Sequence, residues 1–171
     1  MKIAITGAHR VGKTTLAEKL HESLPHYHYT QEPYYDLEET GHDFSETPNL
    51  DEYLEQLEYS VDQILKGGSN EIFDRCPIDF LAYMHAINSS QPIQALYNKV
   101  QTVITEIDLI VFVPIEDPDL ISCPESELPE LRSRVNKILN EWIWDFGVET
   151  IEVKGTVSAR RDQILNKILQ E

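Results

Sequence analysis

Apolar residues in this chain alternate between two kinds of run. Short, dense runs read as strands: residues 2–6 (KIAIT), 71–74 (EIFD), 107–113 (IDLIVFV) and 148–153 (VETIEV). Residues 26–32 (HYHYTQE) alternate aromatic and polar positions and add one more strand. Between these runs the apolar positions recur at helical spacing. Leu16, Ala17 and Leu20 share a face within 13–23. Leu54, Leu57, Val61, Ile64 and Leu65 do so within 51–66, where Gly67 and Gly68 then stop the helix. Pro77 opens a helix bearing Phe80, Leu81, Met84 and Ile87, and residues 92–105 form the next. A helix with Val135, Ile138, Leu139, Trp142, Ile143 and Phe146 follows residue 130, and the last spans about 157–170. Two stretches lack either pattern. Residues 34–50 hold Gly41, Pro48 and Asn49 among many acids and read as a mobile connection with room for one short helix. Residues 114–130 contain four prolines and six acids and are the least regular part. Strands alternating with helices predict an α/β domain with a parallel sheet and right-handed crossovers. Residues 1–171 show no repeat and no dividing linker, so one domain is expected.

Charge narrows the function. Fourteen Lys and Arg stand against 30 Asp and Glu, a formal net charge of −16. Nucleic acid and anionic membranes both require clustered cations, so neither is expected as a partner. A nucleotide is compatible, because a local site and Mg²⁺ can hold it. Cys76 and Cys123 form no Cys-x-x-Cys pattern, which fits a reducing, cytoplasmic location without disulfide or zinc. No apolar run is long enough for a signal peptide or a membrane span.

Against that scarcity of cations, TGAHRVGKTT (6–15) stands out. Gly7 and Gly12 bracket Ala8, His9, Arg10 and Val11, and Lys13, Thr14 and Thr15 follow. A strand before and a helix after confirm a phosphate-binding loop. Backbone N–H groups along residues 7–15 would converge on nucleotide phosphates. Lys13 would reach the β- and γ-phosphates of ATP, and the Thr14 hydroxyl would bind Mg²⁺. No Gly-x-Gly-x-x-Gly exists, so the dinucleotide fingerprint is excluded.

Four more places carry candidate chemistry. Asp74 ends a strand where ligands gather, and can hold Mg²⁺ directly or through water. Arg75 beside it can bridge a donor phosphate and an acceptor. Glu32, before Pro33, either takes or orients an acceptor's hydroxyl proton or is an ordinary acid closing a strand. Arg132 and Arg134, two of six arginines, either neutralise a transferring phosphoryl group or pair with nearby acids. Gly155 and Thr156 sit in a loop that either lies against the nucleotide base or merely joins strand to helix. Arg10 is either an arginine finger supplied in cis or a solvent-facing side chain. Tyr34, Tyr35 and Tyr53 could stack on a base, although core packing suits Tyr53 better. Two look-alikes are set aside. Asp145-Phe146-Gly147 has no His-Arg-Asp loop to accompany it, and no Asn-Lys-x-Asp guanine signature exists.

Taken in order, these motifs resemble the nucleoside and nucleotide kinase group of P-loop proteins. FDRCPIDFLAYM (73–84) is similar to the matching motif of deoxynucleoside kinases. GAHRVGKTTLAEKL (7–20) is similar to small single-domain bacterial ATPase/kinase proteins labelled AAA, a group like the nicotinamide riboside kinase domain. The resemblance implies a P-loop NTPase three-layer sandwich whose five parallel strands run 2-3-1-4-5, with residues 114–134 as a lid. It implies that Lys13 and Thr14 hold ATP·Mg²⁺, that Glu32 meets the acceptor hydroxyl, and that Asp74 and Arg75 serve metal and acceptor. Arg132 and Arg134 would be the lid arginines, and Arg10 matches an arginine of eukaryotic-type thymidylate kinases. Residues 33–50 show no recognisable base pocket, and Cys76 replaces the motif's serine. The expected activity is ATP- and Mg²⁺-dependent transfer to a small metabolite, a nucleoside or nucleotide. The alternative is a nucleotide-dependent ATPase or switch acting on a protein partner. Oligomeric state stays open, a homodimer included.

Overall fold

The computed structural model describes residues 1–170. Five strands pair in parallel in the order β2-β3-β1-β4-β5. They are β1 (Lys2–Thr6), β2 (His28–Thr30), β3 (Glu71–Asp74), β4 (Leu109–Phe112) and β5 (Thr150–Glu152). Helices fill the intervals: α1 (Lys13–Ser23), α2 (Pro33–Glu39), α3 (Leu50–Lys66), α4 (Pro77–Ile87), α5 (Gln94–Ile104), α6 (Pro129–Trp142) and α7 (Val157–Ile168). The sheet order and the three layers expected from the sequence are those of the structure.

Burial explains the order. β3 and β4 are buried at every residue and β1 at all but its first, as continuous apolar runs require. The edge strands β2 and β5 are only partly covered. Both are three residues long, shorter than the expected 26–32 and 148–153, because each pairs with only one neighbour over a short overlap. β4 is likewise trimmed to four residues, all paired with β1 and three of them also with β5. α1 packs on α7, while α3, α5 and α6 surround α4. That enclosure accounts for α4, in which nine of eleven residues are buried.

Two differences bear on the site. The stretch 34–50 is not uniformly irregular: Pro33 at the first turn starts α2, so Glu32 is a helix N-cap residue and not the last residue of a strand. The segment 114–128 contains a 3₁₀ turn, Glu125–Glu127, that runs directly into α6. No helix among the described residues is long and apolar enough to cross a membrane.

α3 changes character along its length. Asn49 caps it, accepting from Glu52 N at 3.1 Å. Its first turns bury Glu52, Tyr53 and Gln56, and its later turns bury Leu57, Val61 and Ile64. Leu57→Ala should therefore cost about 2–5 kcal/mol of folding stability. Leu65→Ala, on the exposed side of the same helix (58% exposed), should cost less than about 0.5 kcal/mol. Denaturant unfolding of both variants checks this; equal costs would refute the helix's assigned inner face.

Candidate active site

β1 delivers the chain into the loop 7–12 at the carboxyl edge of the sheet. Gly7 (φ 154°) has no room for a side chain, since a Cβ there would meet Val113 O at 2.5 Å. Gly12 (φ 84°) turns the chain into α1 in a left-handed conformation, which Arg10 (φ 53°) also adopts. No side chain caps α1, and its first turn carries no acid. Its leading N–H groups are thus free to face an anion, at the positive end of the helix.

The loop turns its carbonyls the other way, and each is met by a cation. Arg75 Nη1 donates to Gly7 O at 3.3 Å, and Lys13 Nζ to Ala8 O at 2.6 Å. Arg132 donates to His9 O at 3.0 Å and to Arg10 O at 2.9 Å. Arg160 donates to Val11 O at 2.7 Å. Acids hold the outer two guanidiniums: Asp119 grips Arg132 at 2.5 and 3.1 Å, and Glu116 grips Arg160 at 2.7 Å. Burial, with the Arg75 guanidinium nearby, lowers the Lys13 ammonium to about 8.

Asp74 and Arg75 stand next to this loop. Asp74 Oδ1 is buried without a hydrogen-bond partner, and Oδ2 accepts a long bond from Tyr29 at 3.4 Å. Burial raises the Asp74 carboxyl, with the Lys13 ammonium and the nearby Thr14 hydroxyl pulling the other way. A buried, orphaned carboxylate oxygen beside a hydroxyl is a hard-oxygen pair suited to Mg²⁺. Arg75 (φ 80°) donates from Nε to Glu32 Oε1 at 2.5 Å and lies 3.7 Å from Asp79. Asp79, fully buried, accepts from Gly7 N at 2.9 Å and from Cys76 N at 3.0 Å. One carboxylate therefore ties the phosphate loop to the start of α4.

Beyond Glu32 and Arg75 opens a cavity of about 560 Å³, within the usual range for small-ligand sites. Tyr34 stacks on Phe44 (4.4 Å between centroids) on one wall, and Tyr53 on Tyr83 (4.9 Å) on another. Gln56 and Glu52 line it from α3, and residues 125–128 line it from the segment that leads into α6. Tyr53 is both core and wall: it is 7% exposed yet still borders the cavity.

The remaining candidates divide. Arg132 comes to the site from behind, through the loop's carbonyls, with all its placed donors engaged. Pairing with a nearby acid, here Asp119, was one of the two readings open for Arg132. Arg134 is exposed and has no hydrogen bond or ion pair among the described residues. Arg10 is exposed, as one of its two readings had it, and it grips Glu127 at 2.6 and 2.7 Å and Ser122 O at 3.2 Å. Gly155 N is taken by Glu116 at 2.8 Å, and Thr156 caps α7 by accepting from Ala159 N at 3.2 Å. Neither Glu116, Asp119, Asp79 nor Arg160 was a sequence candidate. Scarcity alone pointed to Arg160, as another of the six arginines.

His9, without an assigned role in the sequence, joins three elements. Its N–H donates to Tyr83 Oη at 2.7 Å, its Nδ1 lies 2.8 Å from that oxygen, and Nε2 lies 2.7 Å from Glu127 O. A carbonyl only accepts, so Nε2 carries the proton and Nδ1 accepts from the Tyr83 hydroxyl. Burial lowers the imidazole to about 4, against a raising effect of the Glu127 carbonyl. The unfolded chain binds this proton near 6.5, so His9 draws stability down as pH falls from 6.5 to 4. Unfolding from pH 8 to 3.5 should show the protein losing stability relative to His9→Gln within that window, and levelling below it. Parallel curves would exclude a neutral, buried His9.

A family model described as an AAA domain matches residues 2–160. No curated protein matches the chain in sequence. Among solved structures it is similar to deoxyadenosine kinase from M. mycoides with products bound (TM-score 0.70, 20% identity, 99% of both chains covered). It is also similar to NadR protein in complex with NAD and AMP-PNP (TM-score 0.74, 17% identity), covering 99% of this chain and 48% of that one. A third is thymidylate kinase from Candida albicans (TM-score 0.65, 17% identity, 99% and 91% covered). The chain thus belongs to this AAA-domain family, and it is built on the P-loop fold of nucleoside and nucleotide kinases.

Proposed function

We propose that this protein transfers the γ-phosphoryl group of ATP to a hydroxyl of a small nucleoside- or nucleotide-like acceptor. One observation carries the reading. The uncapped phosphate loop and the Glu32–Arg75 pair stand side by side, and that pair faces a cavity of about 560 Å³ lined by stacked aromatic rings. An ATPase that acted on a protein partner would have no use for such a cavity. The ligands of the similar structures, among them dCMP, AMP-PNP and NAD, support the same reading by similarity of fold.

The loop's N–H groups and Lys13 hold the donor phosphates, with Lys13 leaving Ala8 O to do so. Thr14 and the orphaned Asp74 oxygen would hold Mg²⁺, which would supply charge neutralisation on the phosphates. Arg75, fixed by Glu32 and Gly7 O, orients the acceptor beside the donor. Glu32 takes the acceptor's hydroxyl proton as the new O–P bond forms. The bond from the γ-phosphorus to its bridging oxygen breaks, and ADP departs. Arg132 and Arg160 act as positioning residues, and Gly155 and Thr156 border the nucleotide through the Glu116–Arg160 link. In this closed lid Arg10 braces Glu127; it reaches the transferring group as an arginine finger only by exchanging that partner. Arg134 is the one lid arginine with the freedom to swing onto phosphate. The protein works as a cytoplasmic enzyme.

Labelled ATP offered with a panel of nucleosides and nucleotides tests the reading. A phosphorylated acceptor is expected; ATP consumed with no phosphorylated product would overturn it. Glu32→Gln should lower kcat by roughly 10²–10⁴-fold while ATP affinity changes less than about twofold. Lys13→Ala should weaken ATP binding outright, measured by calorimetry. An unchanged Kd would remove the phosphate-loop assignment.

A further inference from the structure

The cavity's charge is uneven. Five carboxylates line it, Glu32, Glu46, Glu52, Glu125 and Glu127, against a single guanidinium, Arg75. Arg75 is already matched by Glu32 at 2.5 Å and approached by Asp79 at 3.7 Å. Glu127 is matched by Arg10. Glu46, Glu52 and Glu125 have no cationic partner among the described residues. His9, the other basic side chain on the wall, is uncharged at neutral pH. The nearest further cations are committed elsewhere: Lys13, Arg132 and Arg160 each hold a carbonyl of the phosphate loop, the latter two also gripped by acids.

A phosphate arriving on the acceptor would bring a dianion into this surrounding. Proteins hold such groups with free, forked guanidiniums, and none faces the cavity unpaired. The aromatic pairs suit a flat ring that is neutral or positively charged. Resting on the phosphotransferase reading above, we propose that the acceptor enters without any phosphate of its own, as a neutral or cationic nucleoside and not as a nucleotide. A bare hydroxyl gives its proton to Glu32, gains the phosphoryl group, and leaves as a monophosphate. That product carries two negative charges past the three unmatched carboxylates, so release is favoured and a second phosphorylation is opposed.

The experiment compares matched pairs, each nucleoside against its own 5′-monophosphate, with labelled ATP at low salt. Nucleosides should exceed their monophosphates in kcat/KM by roughly a hundredfold or more, given several like charges within a partly desolvated site. The double variant E46Q/E125Q, altered at two exposed positions of the wall, should narrow that ratio several-fold by raising the monophosphate value. Monophosphates used as well as or better than nucleosides, or a ratio unmoved in the double variant, would overturn the proposal and leave the phosphotransferase intact. Bound ATP with no labelled product from either class would remove both.

Discussion

Five consecutive carbonyls, from Gly7 to Val11, each accept a hydrogen bond from a lysine or arginine side chain. A loop that gathers N–H groups around an anion must turn its carbonyls outward, and buried carbonyls need donors. Here the donors are charged, which makes the bonds strong, and they come from four separate parts of the chain. Lys13 is local, Arg75 follows β3, Arg132 lies on α6 and Arg160 on α7. The loop's shape is therefore set by the whole domain. β3 and β4 flank β1, so Arg75 and the segment leading to Arg132 emerge on either side of the loop. The acids complete the arrangement, because Asp119 and Glu116 fix the two guanidiniums that reach furthest.

The acceptor side depends on the same loop. Arg75 connects Gly7 O to Glu32, and Asp79 connects Gly7 N to the first turn of α4. Tyr83, one turn further along α4, meets both His9 and the ring of Tyr53. Donor loop, base candidate and aromatic wall are thus joined through one buried helix, and α4 is enclosed by α3, α5 and α6. An apolar helix carrying a buried aspartate at its third position looks unfavourable until both of that aspartate's oxygens are seen to be satisfied.

Much of this was legible because it is local. The phosphate loop is spelled by Gly7, Gly12, Lys13 and Thr14, and the central strands by runs that are apolar throughout. Edge strands were overextended, since sequence reports β-forming residues while pairing depends on the neighbour's reach; Tyr27 is β-prone but lies outside β2. Glu32 was placed at a strand end for the same reason, although Pro33 already announced a helix. Arg132 was legible as scarce, and its pairing with a nearby acid was one of two readings the sequence left open. Its function follows from carbonyls more than 120 residues away, which no spacing rule can supply. The cavity was invisible for a related reason: its walls come from His9 and from residues 32–56, 75–83 and 125–131, four parts of the chain that only the fold brings together.

Asp79 carries a consequence for how such a protein can change over generations. By holding Gly7 and Cys76 at once, it makes the donor loop and the acceptor-facing arginine one rigid body. Substitutions on the surrounding walls can then accumulate without disturbing the spacing between the loop and Arg75. The largely exposed stretch 43–47 is such a wall, whereas Glu127 is bound back to the loop by Arg10 and His9. The two ends of the cavity therefore differ in how freely they can change: residues 43–47 can vary by themselves, and Glu127 only together with the loop.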